Sequence, residues 1–538
     1  MISPRKLPLI WPTPGALLIS IGVSILVLFA AAFHVAAQQI VPPQPDPLAR
    51  IRAAAGNAQA CSVDESSACA QATPKIIASA LGASPLDENL RRLTDGIGGR
   101  LTGSPEMDSA VAWGVAGFRD AGVDEVHTEK YTIPATWSEG VSHLDVLSPS
   151  PFAARLVSDA WSPATPAGGI EGAVVDVGAG DSEDFVRVGD AASGAILLVH
   201  SDVLRTADDL FNAEMHDPEV AARALTAGAA AILWMSTREN GLLYRHLTAW
   251  DGTLEKLPQA VVAREDALRM ARDLAAGKQV HVRLDLPNQV GGMAEAENVV
   301  AEIRGREKPD EFVVLAAHLD SWELGTGALD DGCNAALVVE AARDIHLTGL
   351  RPRRSIRFVL FSGKEQGMLG SWAYVRGHRG ELDKALAAIV FDGGTGRVTG
   401  FSLGGRRDIE PGVRESLAPL SSWGVGTNTY EAPLSTDNFD FLLEGVPTLV
   451  ANQEIGNNLL AAGTASDTYD KVDMIDLKLN TAVAGLLAFS IAEHPNPLGP
   501  RLSRPEIESL MNRTGLDAQM RLMDLWHFWS DGQRGRQQ

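Results

Sequence analysis

The stretch from His318 to Gly332 sets a histidine and several carboxylates around a glycine-rich turn, directly after an apolar run at 312–317. His318, Asp320 and Asp330 are the residue types that a borderline divalent ion such as zinc takes as ligands or supports, imidazole nitrogen with carboxylate oxygen. Two further acids follow apolar runs in the same way: Glu365 after 356–362 and Asp392 after 387–391. In open α/β sheets, ligands gather beyond the carboxyl ends of the strands. His318, Asp330, Glu365 and Asp392 therefore form a candidate metal-ligand set. Each alone reads as a solvated loop carboxylate or a hydrogen-bonded core histidine; their recurrence at successive strand ends gives them meaning. Asp320, two residues after His318, is predicted to orient the ring by accepting the N–H that faces away from the metal, with turn capping as its other reading. Cys333 has no second cysteine near it, so it is predicted to be small buried filler rather than part of a thiolate cluster.

Positioning these groups requires alternating strands and helices. Strands are predicted at 298–303, 312–318, 356–362, 387–391 and 448–451, and helices at 333–346, 367–378, 412–417, 439–443 and 477–493. That alternation predicts an α/β fold, a mostly parallel central sheet flanked by helices. Upstream, 74–100 and 106–121 have helical periodicity. Between them and the α/β region, short strands at 129–133, 142–147, 171–177, 194–199, 230–235 and 278–285, with one helix at 219–227, predict an inserted mostly-β domain with no His/carboxylate cluster of its own. The expected division is a leader at 1–37, a linker at 38–73, a core domain in two segments (74–128 and 291–495), the insertion at 129–290, and a helical tail at 496–538. Trp322 and the tail aromatics Trp526, Phe528 and Trp529 are expected to serve packing more than ligand contact.

The chain of 538 residues is 45% hydrophobic and 21% charged, ordinary for a globular protein with more than one domain. A net charge of -22 argues against a nucleic-acid partner, whose phosphates draw basic surfaces. Arg5 and Lys6, the uncharged run 15–33 and the small residues Val35-Ala36-Ala37 form an export signal, either cleaved or kept as a membrane anchor. In both cases the body lies outside the cytoplasm: periplasmic, extracellular or tethered to the membrane. In that compartment Cys61 and Cys69 are placed to pair, with two free thiols as the other reading.

Four motifs together carry a resemblance: His318-Leu-Asp320-Ser-Trp322, Gly327-Ala-Leu-Asp330-Asp331-Gly332, Gly363-Lys-Glu365-Gln-Gly367 and Asp467-Thr468-Tyr-Asp-Lys-Val-Asp473. They are similar to family 28 metallopeptidases, in particular the plasma glutamate carboxypeptidase branch. The loop 98–105 resembles that family's opening motif, and the inserted segment resembles a protease-associated domain. The resemblance spans about 75–495. It implies a two-zinc site that removes single residues from peptide ends, with a peptide as substrate or ligand; a homodimer is a further candidate assembly. Carried over, Asp330 would bridge the ions, His318 and Asp392 would complete the first, and Glu365 would serve the second.

The chain departs from that pattern twice. The general-base glutamate is Lys364. The second-ion histidine, four residues before Asp467, is Gly463, and no histidine lies between His378 and His494. Glu454 or Asn457 are the nearest substitutes. Such a site needs both a metal-activated water and a base beside it. Three readings of Lys364 follow: it replaces the second zinc among the carboxylates, leaving one ion at most; it points to solvent beside an eroded site; or it acts as a base of depressed pKa. The competing functions are an exported zinc exopeptidase with rearranged chemistry and a non-catalytic homologue that binds peptides or a protein partner.

Overall fold

The structure, a computed structural model, describes residues 67–456 and 458–537. The leader at 1–37, nearly all of the linker at 38–73, Cys61 and Asn457 lie outside the described residues. Cys69 is disulfide-bonded, and Cys333 is a free, buried thiol as its sequence context predicts.

The main sheet has seven strands: β1 (Glu125–Ile133), β2 (Ala294–Ile303), β3 (Lys308–His318), β4 (Arg354–Phe361), β5 (Ala385–Val390), β6 (Val398–Ser402) and β7 (Thr448–Gln453), in the spatial order β1-β2-β4-β3-β5-β7-β6. The central four, β4, β3, β5 and β7, run parallel, while β1, β2 and β6 add antiparallel edges. The parallel strands are apolar on both faces because helices cover both. In β3, Val313 and Leu315 face a core shared with helices α1 (Ala68–Leu81), α2 (Pro105–Ala121), α3 (Cys333–Leu347) and α4 (Met474–Glu493). Phe312 and Val314 point the other way, toward Tyr374 and Phe441. The period of two along a strand dictates this split. Burial of each such side chain contributes roughly 1.5–3 kcal/mol. Helix α4 is long and apolar enough to cross a membrane, but 83% of its most apolar window is buried inside the protein.

A second sheet of eight strands lies between 143 and 285. Its middle strands, Ile170–Asp176, Ile196–Val199, Ala231–Met235 and Gln259–Val262, run parallel. The insertion is therefore α/β in its centre rather than mostly β. Parallel neighbours need crossovers, and the helices Ser182–Val188 and Ala207–Thr226 lie in two of them. The expected boundary at 129 also falls inside β1, which pairs with β2 of the main sheet from Glu125 to Ile133. Alternation in β1 reads the same in either sheet, so periodicity could not assign it. The C-terminal segment is anchored: Trp529 is buried, and Arg534 forms a fully buried ion pair with Asp440.

Candidate metal centre

The parallel strands deliver their last residues to one edge. His318 ends β3, Glu365 follows β4 and Asp392 follows β5, while Asp330 sits in the turn leading into α3. His318 is fully buried, and its Nδ1–H donates to the backbone carbonyl of Asp320 at 2.9 Å. A carbonyl only accepts, so Nδ1 carries the proton and Nε2 faces the cluster. Nε2 lies 3.1 Å from Asp330 Oδ1 and 3.2 Å from Asp392 Oδ1. Tetrahedral ligands about 2.0 Å from a zinc ion stand about 3.3 Å from one another, so each of these two pairs has the spacing of ligands on one ion. Two overlapping groups have ligand atoms mutually within 4.8 Å: His318 with Asp330 and Glu365, and His318 with Asp331 and Asp392. Glu365 Oε1 and Asp392 Oδ2 are buried without a hydrogen-bond partner, which leaves both oxygens free to take a cation.

Asp320 holds His318 Nδ1 through its main-chain carbonyl at 2.9 Å, and its carboxylate Oδ1 stands 3.5 Å from the same nitrogen. The carboxylate accepts from the N–H groups of Lys364 (3.3 Å) and Glu365 (3.1 Å), tying the loop after β4 to the loop after β3. Asp331 was not singled out in the sequence. It is fully buried, accepts from Asn334 Nδ2 at 2.6 Å and from the His318 backbone N–H at 3.3 Å, and braces the turn.

Lys364 does not point to solvent. Its side chain is 12% exposed, and Nζ lies 3.4 Å from Asp392 Oδ1, 3.6 Å from Glu365 Oε2 and 3.8 Å from Asp330 Oδ1. Burial opposes its charge, yet Asp392, Glu365 and Asp330 together hold the ammonium well above its ordinary pKa. The surrounding acids therefore favour the protonated lysine, which supports its reading as a cation among the carboxylates. Burial raises Asp330 and Asp392, but Lys364 and His318 outweigh it and keep both carboxyls below the usual range. Glu365, beside Asp330 and more affected by burial than by Lys364, is pushed up to about 8.

The turn is held from outside. Arg100, fully buried, donates from Nε to Leu319 O (2.7 Å), from Nη1 to Gly98 O and Thr326 O (both 2.8 Å), and from Nη2 to Gly327 O (2.9 Å). Asp467 accepts from the N–H groups of Ala328 (2.9 Å), Leu329 (2.6 Å) and Asp330 (3.2 Å). Thr102 Oγ1 accepts from Gly363 N–H at 2.8 Å. The opening loop and the Asp467 motif are thus scaffolding for the ligand turn.

Gly463 lies on the wall of the same cavity, about 310 Å³, that holds Asp330, Lys364, Glu365 and Asp392. Its φ is +70°, and a Cβ there would stand 3.3 Å from Trp322 Cδ1. The residue that replaces the expected histidine therefore lines the same cavity as the cluster.

An α/β sheet that brings a histidine and acids to the ends of its parallel strands defines a zinc-exopeptidase-like fold. Residues 298–488 match the model of Peptidase family M28, so the chain carries a domain of that family, and it is homologous to carboxypeptidase Q. Mouse carboxypeptidase Q is 28% identical over 408 residues, 76% of this chain and 85% of the mouse protein. The Peptidase M28 precursor of Shewanella amazonensis SB2B superposes with a TM-score of 0.73 at 28% identity, covering 80% of this chain and 98% of that one. BSAP, a zinc aminopeptidase from Bacillus subtilis, shares the fold at 18% identity and a TM-score of 0.60, covering 78% of this chain and 97% of its own.

Proposed function

We propose that this chain is an exported peptidase homologue that binds a single zinc ion at His318, Asp330 and Asp392. Lys364 replaces a second ion, and peptide hydrolysis is impaired or lost. The observation that carries the reading is the position of Lys364 Nζ, within 3.4–3.8 Å of three carboxylates. Opposite charges at about 4 Å near a protein surface attract by about 4 kcal/mol before desolvation, so the ammonium does part of what a cation would do there. A zinc ion supplies an acidified water and a polarised carbonyl. The chain's own residues then have to take the proton, and the position beside Glu365 holds an ammonium where a carboxylate base would act. The leader and the Cys69 disulfide support export, since disulfides persist in oxidising compartments. The insertion, read as a protease-associated-like domain, supplies the outer wall of a peptide cleft.

The second reading, an active zinc exopeptidase, rests on the names of the relatives and on the two overlapping ligand groups. Elemental analysis separates the two. One zinc per chain is expected; none would overturn the metal assignment, and two would overturn the replacement of an ion by Lys364. Dipeptide hydrolysis should be absent or weak in the parent and should rise in the double variant Lys364→Glu/Gly463→His. Equal rates in both would sink the impaired-enzyme reading.

A further inference from the structure

Arg238 stands in the wall of the cavity that holds the metal cluster, shortly after the strand Ala231–Met235. It is 5% exposed. Its Nη1 donates to Thr237 Oγ1 at 2.5 Å and Nη2 to Leu459 O at 3.2 Å, while Nε is buried with no hydrogen-bond partner. The ring of Tyr244 lies 4.6 Å from Cζ. Among the described residues no carboxylate comes within ion-pair distance, and burial holds the guanidinium below its ordinary pKa with only Tyr244 opposing.

A buried charge is ordinarily paired, because desolvation without compensation is costly. The other cations of this cavity obey that rule. Arg245 is bound by Glu139 and Glu323, and Lys364 by its three carboxylates. Asp217 is taken by His246. Glu214 has no ion pair among the described residues either, but burial and Asp330 outweigh Lys364 and push its carboxyl up to about 7, so near neutrality it is only partly charged. Arg238 is the cation left over, in a cavity large enough for a small peptide.

We propose that Arg238 is a specificity-determining residue that binds the free α-carboxylate of a peptide in this cavity. The proposal rests on the peptide-site reading above and adds the chemical class of the ligand. The orphaned Nε–H and a neighbouring Nη–H form a side-on fork that matches the two oxygens of a carboxylate. Tyr244 fixes the plane of the fork from one face. Leu204 and Leu459, both buried, keep that end of the cavity apolar, where a charge-assisted bond is strong.

The test is calorimetric titration of the full chain with alanyl-alanine, alanyl-alanine amide and alanyl-glutamate α-amide, each in zinc and in chelator. The parent should bind the free acid at least about tenfold more tightly than the amide, the low end of a charged hydrogen bond's contribution. Arg238→Met should lose the contrast without weakening amide binding, and Arg238→Lys, which keeps the charge but not the fork, should fall between. Failure of alanyl-alanine to bind, an equal affinity of the parent for acid and amide, or a contrast that survives in Arg238→Met would overturn the proposal. Binding of the glutamate α-amide as tight as the free acid would overturn the assignment to the α-carboxylate. The chelator arm reads Arg238 independently of the ion, so a wrong zinc count leaves the acid–amide contrast standing.

Discussion

At the scale of single residues, Lys364 and Gly463 determine what this site can do. Lys364 offsets acids that would otherwise face one another in a buried turn. Removing one partner of such a group typically costs about 3–5 kcal/mol. Lys364→Met is therefore expected to be destabilised by about that amount in chelator, and zinc should stabilise it more than it stabilises the parent. Urea unfolding with and without zinc checks both statements; an unchanged midpoint in chelator would mean the lysine neutralises nothing. Gly463 bears on the reverse experiment. Its φ of +70° and the 3.3 Å approach to Trp322 mean a histidine there enters a left-handed backbone beside an indole. That conformation costs an L-residue about 1–2 kcal/mol. Gly463→His alone should lose about that much stability and should gain no second ion while Lys364 remains. Zinc counts on the single and double variants test the order in which the site must be rebuilt.

Elements carry the site, and how legible they were depended on how local their signals are. The strands ending at His318 and Val390 could be read because β3 and β5 are buried on both faces and appear as unbroken apolar runs. Glu365, Asp330 and Asp392 were legible for the same reason, since strand ends locate them. Asp331, Arg100 and Arg238 were not singled out, because their roles lie in contacts across 13, 219 and 221 residues of sequence that no local pattern encodes. The helices of the insertion were under-read for a similar reason: parallel pairing between Ile196–Val199 and its neighbours is a tertiary fact. His246 shows how far such contacts reach. It links the loop after the strand Ala231–Met235 to Asp217 on the helix Ala207–Thr226 and to Asp159, both at 2.9 Å. Burial opposes its charge, but Asp159 and Asp217 outweigh it and hold the imidazole well above its ordinary value. The folded pKa is raised, so the stabilisation is fully present below the unfolded value of about 6.5 and is lost as pH rises through the folded one. Relative to His246→Gln, the parent should lose stability as pH is raised above about 6.5. Parallel profiles of unfolding free energy for the two proteins would show that the ring is neutral in the fold.

At the scale of the whole molecule, the cleft is a joint product of the two sheets. The main sheet brings the metal ligands, and the insertion brings Arg238, Arg245 and His246 to the same cavity. Arg245 is the clamp between them. Its guanidinium bonds Glu139, just after the Trp137–Ser138 strand, and Glu323, in the loop between His318 and the ligand turn, while its backbone N–H donates to Gly463 O at 2.8 Å. Burial opposes its charge, yet Glu323 and Glu139 outweigh it and raise its pKa. Arg245→Met would leave two acids facing each other at the seam, at a cost of about 3–5 kcal/mol. Because the three partners belong to different segments, the loss should not stay local. Hydrogen exchange is expected to quicken together around 243–248, 320–326 and 463–467, while the centres of both sheets keep their protection. Loosening confined to the mutated loop would show that the wall and the ligand turn move independently. Concerted loosening would make the insertion a working part of the metal site, since the seam that fixes the cavity wall also borders Gly463 and the loop that carries His318 into Asp330.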